Sequence, residues 1–246
     1  MTLLQAFLIG LWHFIANGNV LTASFGFYSV ARPLFTGLVV GLILGDPIQG
    51  MIIGASINLI FMGWIEAGGA RAGDPFIAGT LGTALAISSG ATVPQSILLA
   101  SLLAVVANYA QVTWMSVNSF WVPGFDKAAR ENNKSKLFFW TIVPGQILYY
   151  IVFCIPITLA SYYGPEVVAN VLNSLPQWVL NGIAVCGGVL PAIGIAMNMQ
   201  HLVNKSTVWF YLLGFLLIVY FGMDMIIVTL LGIIIVAPKI FQKSLN

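Results

Sequence analysis

The chain has 246 residues, of which 59% are apolar and only 7% charged, with a formal net charge of +2 and a mean hydropathy of +0.97. That composition excludes an ordinary soluble domain, and so small a charge gives no reason to expect nucleic acid as a partner. Its apolar runs are continuous rather than alternating, so the expected class is an all-α polytopic membrane protein and not a barrel.

Residues 2 to 20 are long enough to cross a bilayer. The opening MTLLQAFLIGLWHFIANG lacks the basic start and small-residue cleavage pattern of a secretory signal, so it is expected to remain as the first membrane helix. Residues 33 to 45, PLFTGLVVGLILG, stop at Asp46-Pro47 after a length too short to cross about 30 Å of hydrocarbon. Apolar sequence resumes from Ile48 to Trp64, a polar, glycine-rich patch runs from Glu66 to Pro75, residues 76 to 90 form another short run, and Pro94 to Val122 a long one. The one substantial charged block, GFDKAARENNKSKLFFW, sets Lys127, Arg130, Lys134 and Lys136 against Asp126 and Glu131. It reads as an amphipathic segment over about 124 to 136, cytoplasmic by the positive-inside tendency. Leu137 to Ser161 is expected to span outward and residues 165 to 176 to form an interfacial helix bounded by prolines. Trp178 to Met199 is expected to break at Gly187-Gly188 and Pro191. Residues 207 to 237 are expected to form a hairpin turning near Gly222-Met223-Asp224, which brings Lys205, Lys239 and Lys243 to the cytoplasmic side.

Short hydrophobic segments broken by Gly or Pro thus occur in both halves. That pattern points to a transporter with discontinuous helices and a binding site near the midplane, because irregular backbone at that depth must line a cavity or be buried in protein. An inverted repeat is a structural expectation only, since no residue-level repeat is visible.

Ionisable groups within a bilayer are expensive and usually pair or serve a polar path. Glu66, Arg71 and Asp74 stand beside AGGARAG, whose glycines, Gly69 among them, let a backbone approach a ligand. On a re-entrant tip this is a pocket wall; on an ordinary surface loop the same charges are simply solvated. Asn58 lies in an otherwise apolar stretch, where its amide can bind a hydroxyl as donor and acceptor or join two helices. Asn108, Gln111 and Asn118 present the same choice on one long helix. Trp64 can stack on a sugar face or belong to an interfacial belt. His13 and His201 lack ligand-spaced partners and read as structural, and Cys154 and Cys186 as buried small hydrophobes. No Walker loop, HExxH, GxSxG or paired catalytic carboxylates occur, so no cofactor is expected and the chain is not expected to be catalytic alone.

The stretch ARPLFTGLVVGLILGDPIQGMIIGASINLIFMGW resembles the IIC membrane subunit of mannose-family sugar phosphotransferase systems, with its RP start and VGxxLGD turn. The likeness returns at DKAARENN and LNSLPQWVLNGIAVCGGVLPAIGIAM. The resemblance implies a single permease domain over residues 1–246 with core and scaffold parts, in the bacterial cytoplasmic membrane. It implies a IID membrane partner in a trimer of IIC/IID heterodimers, with soluble IIA and IIB proteins relaying phosphate from phosphoenolpyruvate to the imported sugar. The phosphohistidines belong to those soluble proteins. EAGGARAGDPFIAGT and GGVLPAIG look most like the N-acetylgalactosamine and galactosamine branch, with the mannose or sorbose branch as the alternative. Asn58 departs from the family, where many relatives carry Glu. The candidate sugar contacts are therefore Asn58, Trp64, Glu66, Gly69, Arg71 and Asp74. An ion-coupled sugar transporter, or a membrane receptor with no transport of its own, are the competing classes.

Overall fold

The computed structural model describes residues 1–18, 29–62, 73–205 and 207–244, with side chains as far as 237. Among these residues the chain is helical, with no strand. Helix α1, Leu3–Asn17, starts at a reciprocal cap: the Thr2 hydroxyl accepts from Gln5 N–H while the Gln5 side chain takes Thr2 N–H at 2.9 Å. Two of the orphan donors of a helix start are thereby satisfied.

Helices α2, Pro33–Leu44, and α3, Pro47–Ile60, both open on proline, whose missing N–H costs nothing in a first turn. Between them Gly45 takes φ +88°, a conformation glycine alone adopts cheaply. Asp46 then restarts the helix, accepting Gln49 N–H at 3.0 Å. The two pieces, 12 and 14 residues long, reach about 18 and 21 Å, short of a full crossing. They lie backbone to backbone: a Cβ on Gly37 would sit 2.5 Å from the Gly50 carbonyl oxygen, and one on Gly54 2.5 Å from that of Pro33.

Helix α4, Pro75–Ser89, is buried at every residue from Pro75 to Ala86. It is wrapped by α1, α2 and α3 and by two later helices, α5 (Val93–Asn118) and α8 (Ile155–Ser174). A helix apolar on all sides belongs in such a position. A 3₁₀ turn leads from α5 into the amphipathic α6, Val122–Arg130, and the chain reverses through Asn132 into α7, Lys134–Tyr149. A π-helical turn over Tyr150–Cys154 joins α7 to α8. It lies just ahead of Pro156, which cannot donate the i→i−4 bond, and a widened turn absorbs that loss. Ile9, Val40, Leu81, Leu85, Phe153 and Ile157 make the main core.

Three expectations are corrected. Residues 165–176 do not form a separate interfacial helix, because α8 runs through Pro165 to Ser174. Helix α9, Gln177–Leu202, likewise continues through Gly187-Gly188 and Pro191. In lipid every freed backbone group is expensive, so a helix tolerates one proline defect rather than ending there. The α9 glycines serve contact instead, with Gly187 against the Pro94 carbonyl and Gly194 against those of Leu59 and Ile60. Cys154 is buried as expected, but Cys186 is exposed.

The chain divides into two compact units, Met1–Met197 and Asn198–Asn246. The second carries α10, Val208–Val219, and α11, Met225–Ser244, joined by a turn in which Gly222 takes φ +64°. Asp224, the one charge inside residues 207–237, caps α11 by accepting Ile226 N–H at 2.7 Å. Among the described residues, three continuous helical stretches, Val93–Arg130, Lys134–Ser174 and Gln177–Leu202, are long and apolar enough to cross a membrane. Large apolar side chains such as Leu102, Val106, Ile147 and Val185 lie exposed along them, a surface suited to lipid rather than water.

Candidate functional site

Asp74 is fully buried. One carboxylate oxygen, Oδ1, accepts Phe76 N–H at 2.8 Å and Ile77 N–H at 3.0 Å, while the Asp74 N–H donates to the Ala104 carbonyl at 2.9 Å. Ala104 lies 11 residues from the first residue of α5 and 14 from the last, about 16 and 21 Å along the axis. The N-terminus of α4, with its positive dipole end, therefore begins level with the middle of a membrane-length helix. A helix that starts at that depth is the discontinuous element expected from the short apolar runs.

Asn58, near the end of α3, lines a cavity of about 440 Å³ with Ser29, Arg32, Leu34, Phe35 and Met62. Its side-chain oxygen is buried without a hydrogen-bond partner among the described residues. Leaving such an acceptor unmet costs about 1–3 kcal/mol, which a ligand hydroxyl or a water would offset. The Arg32 guanidinium donates to the Phe61 carbonyl at 3.3 Å, tying the start of α2 to the end of α3 at the same cavity. Arg32 is the contact that pattern reading missed. Its signal was available, because an arginine beside a helix-opening proline is conspicuous in so uncharged a chain. Asp74 is not among the residues lining this cavity. Trp64, Glu66, Gly69 and Arg71 lie outside the described residues.

A second polar centre joins α1, α4 and α7. Thr80 Oγ1 donates to the Phe76 carbonyl at 2.8 Å, so it meets His13 Nδ1 (3.1 Å) as an acceptor. His13 is then the Nδ1–H tautomer, and its Nε2 accepts from the Tyr149 hydroxyl at 3.2 Å. The Tyr149 oxygen in turn accepts from Asn17 Nδ2 at 2.8 Å. His13 is thus a fully hydrogen-bonded core histidine, as its isolation in the sequence implied, and His201 is exposed. The chain of bonds ends on the first turn of α4, the turn that Asp74 caps.

On the charged block between α5 and α7, Lys136 Nζ lies 3.0 Å from Glu131 Oε2. That hydrogen bond, with the lysine's charge, holds the Glu131 carboxyl below the usual carboxylate range.

Half-length helices packed around a buried polar interior, beside membrane-length ones, define a multi-pass membrane transport protein. The family model described as EII-Sor, "PTS system sorbose-specific iic component", matches residues 3–237. The chain therefore belongs to that family, the EIIC subunits of mannose-type sugar phosphotransferase systems, and is a multi-pass protein of the bacterial cytoplasmic membrane. It is 29% identical to the sorbose-specific EIIC component of Lacticaseibacillus casei over 94% of this chain and 82% of that protein. With the mannose-specific EIIC component of Escherichia coli strain K12 it shares 28% over 94% and 86%. With the N-acetylgalactosamine permease IIC component 1 of the same strain it shares 27% over 77% and 70%. Among solved structures, a chain described as "Structure of membrane protein" superposes with a TM-score of 0.84 at 26% identity. A chain of the mannose transporter ManYZ in complex with microcin E492 superposes with 0.61 at 26%. Both alignments cover 98% of this chain and 96% of the other. The relatives carry different sugar names at nearly equal identity, so identity alone does not select the sugar.

Proposed function

We propose that this chain is the sugar-translocating subunit of a phosphoenolpyruvate-dependent phosphotransferase system, taking up a hexose or amino sugar with N-acetylgalactosamine foremost. The observation that carries this reading is the start of α4 at Asp74, level with the middle of α5 and next in sequence to the patch 63–72. In this reading Asn58, Arg32 and Asp74, with Trp64, Glu66, Gly69 and Arg71, form the sugar path. Asn58 makes a neutral contact to a hydroxyl, as donor or acceptor. Asp74 orients the helix end rather than touching the sugar directly.

A IID-type membrane subunit completes the permease as a trimer of heterodimers, a reading supported by the paired name of the mannose transporter ManYZ. Soluble IIA and IIB proteins supply the phosphoryl group. Once phosphorylated on the cytoplasmic side, the sugar is a dianion that a neutral hydroxyl-binding site does not accommodate and an apolar passage does not return. Uptake thereby becomes one-way.

The test is a binding panel on the purified subunit with its membrane partner, using N-acetylgalactosamine, galactosamine, mannose and sorbose. N-acetylgalactosamine is expected to bind tightest, and Asn58→Ala to weaken it about tenfold without loss of assembly. Tighter binding of mannose or sorbose would overturn the choice of sugar. Unchanged affinity in Asn58→Ala would remove Asn58 from the path.

A further inference from the structure

A larger polar cavity, of about 550 Å³, lies between the end of α1, the last turns of α5 and the first half of α7, on the side of the charged block. Its volume falls in the range of small-molecule sites. Asn17, Gln111, Trp114, Gln146 and Tyr149 are in its walls, and none of the described residues lining it is charged. Asn17 Oδ1, Gln111 Oε1 and Gln146 Oε1 are all buried there without a hydrogen-bond partner among the described residues. Asn17 and Gln111 are only 7% and 8% exposed.

The protein itself orients two of these amides. Gln146 Nε2 donates to the Gly18 carbonyl, which can only accept, so the free end of that amide must be its oxygen. Asn17 is set by the relay above. Thr80 spends its proton on Phe76, His13 passes one to Thr80, Tyr149 passes one to His13, and the Tyr149 oxygen is left to receive Asn17 Nδ2. The Asn17 carbonyl is what remains unused. Three acceptors thus stand in the wall with their donor ends already engaged or oriented by protein in two cases, a surplus that apolar packing does not explain.

We infer that this cavity is a second ligand site, distinct from the one at Asn58, for a neutral molecule rich in hydroxyl donors. An apolar ligand would leave the acceptors unmet. An anion would face carbonyl oxygens with no cation to pair with, and an ammonium group would be buried without a counter-charge. A sugar has O–H donors for the acceptors and an apolar ring face for Trp114 or Tyr149. Each oxygen is covered in the present conformation, so the ligand's hydroxyls reach them after a small shift of the neighbouring wall side chains, with Gln146 Nε2 and Asn17 Nδ2 keeping their protein partners. The choice of a sugar rests on the translocation reading; the requirement for a neutral hydroxyl donor rests on the cavity. A sugar phosphate is excluded by the same chemistry, so the site discriminates substrate from product.

The test is calorimetric titration of the full-length chain, purified with its membrane partner, using N-acetylgalactosamine, mannose and their 6-phosphates as probes. Wild type is expected to bind sugar in two classes. Gln111→Leu and, separately, Gln146→Leu are each expected to weaken one class about tenfold, while Asn58→Ala leaves that class intact and the phosphates do not occupy it. Gln111→Leu removes an unmet buried acceptor, so it should melt at or above the wild-type temperature, whereas Gln146→Leu also gives up its bond to the Gly18 carbonyl and should melt slightly lower. That separates lost binding from lost folding. Isotherms unchanged by both leucine variants, no sugar bound at all, or phosphates bound as well as sugars would each overturn the inference and leave a cavity filled by water only. Failure here with normal phosphoenolpyruvate-driven uptake sinks the second site alone. Failure of that uptake sinks the translocation reading.

Discussion

Asp74 and Asn58 were candidates for the same reason, polarity in an apolar stretch, yet their hydrogen bonds separate them. Asp74 spends one oxygen on two backbone N–H groups and is fully buried, so Asp74→Ala is expected to destabilise the fold by about 1–2 kcal/mol through the lost cap. Asp74→Asn, which keeps an acceptor there, should retain most of that stability; thermal melting in detergent compares them. Asn58 leaves its oxygen unmet, so its removal is expected to spare stability and reduce sugar binding. The exposed Glu131–Lys136 pair is a third case. Its folded-state carboxyl titrates below the ordinary value, so the pair adds stability at pH above the usual carboxylate range and loses it as pH falls through that range. Surface pairs are weak and screened by salt. Melting curves of wild type and Glu131→Gln should therefore differ slightly near neutral pH at low ionic strength, and coincide both in acid and at high salt.

At the scale of elements, the α2–α3 hairpin and the start of α4 create the interior. Gly37 and Gly54 admit backbone contact between α2 and α3 that no larger residue permits. Gly37→Val is expected to cost about 1–3 kcal/mol or more through overpacking, seen as a lower melting temperature and aggregation on size-exclusion chromatography. The ends of this hairpin were legible because their causes are local: Gly45, Asp46 and Pro47 are consecutive, as are Gly222, Met223 and Asp224 at the second turn. Pro165 and Pro191 were misread as breaks because the penalty for ending a helix in lipid exceeds that of carrying one proline through it. The Asn17–Tyr149–His13–Thr80 chain was not legible at all. Its partners are 67 to 136 residues apart, and no periodicity within one helix marks such a meeting. The residues of the second cavity on α5, Gln111 and Asn118, did carry a signal as polar groups on an apolar helix, but their common wall with Asn17 and Gln146 exists only after folding.

For the whole molecule, composition and run length were enough for an all-helical membrane protein, and the RP and VGxxLGD stretches for its family, while the sugar needs contacts that patterning does not resolve. The physical account is of half-length helices that place polar atoms at membrane depth, with phosphorylation of the cargo supplying direction. Sugar uptake into sealed vesicles holding this chain and the proposed IID-type subunit tests it most directly. With IIA, IIB, the general phosphoryl carriers and phosphoenolpyruvate inside, labelled sugar should accumulate as its phosphate, and omitting phosphoenolpyruvate should abolish accumulation whatever ion gradient is imposed. Accumulation of unmodified sugar driven by a proton or sodium gradient alone would contradict it.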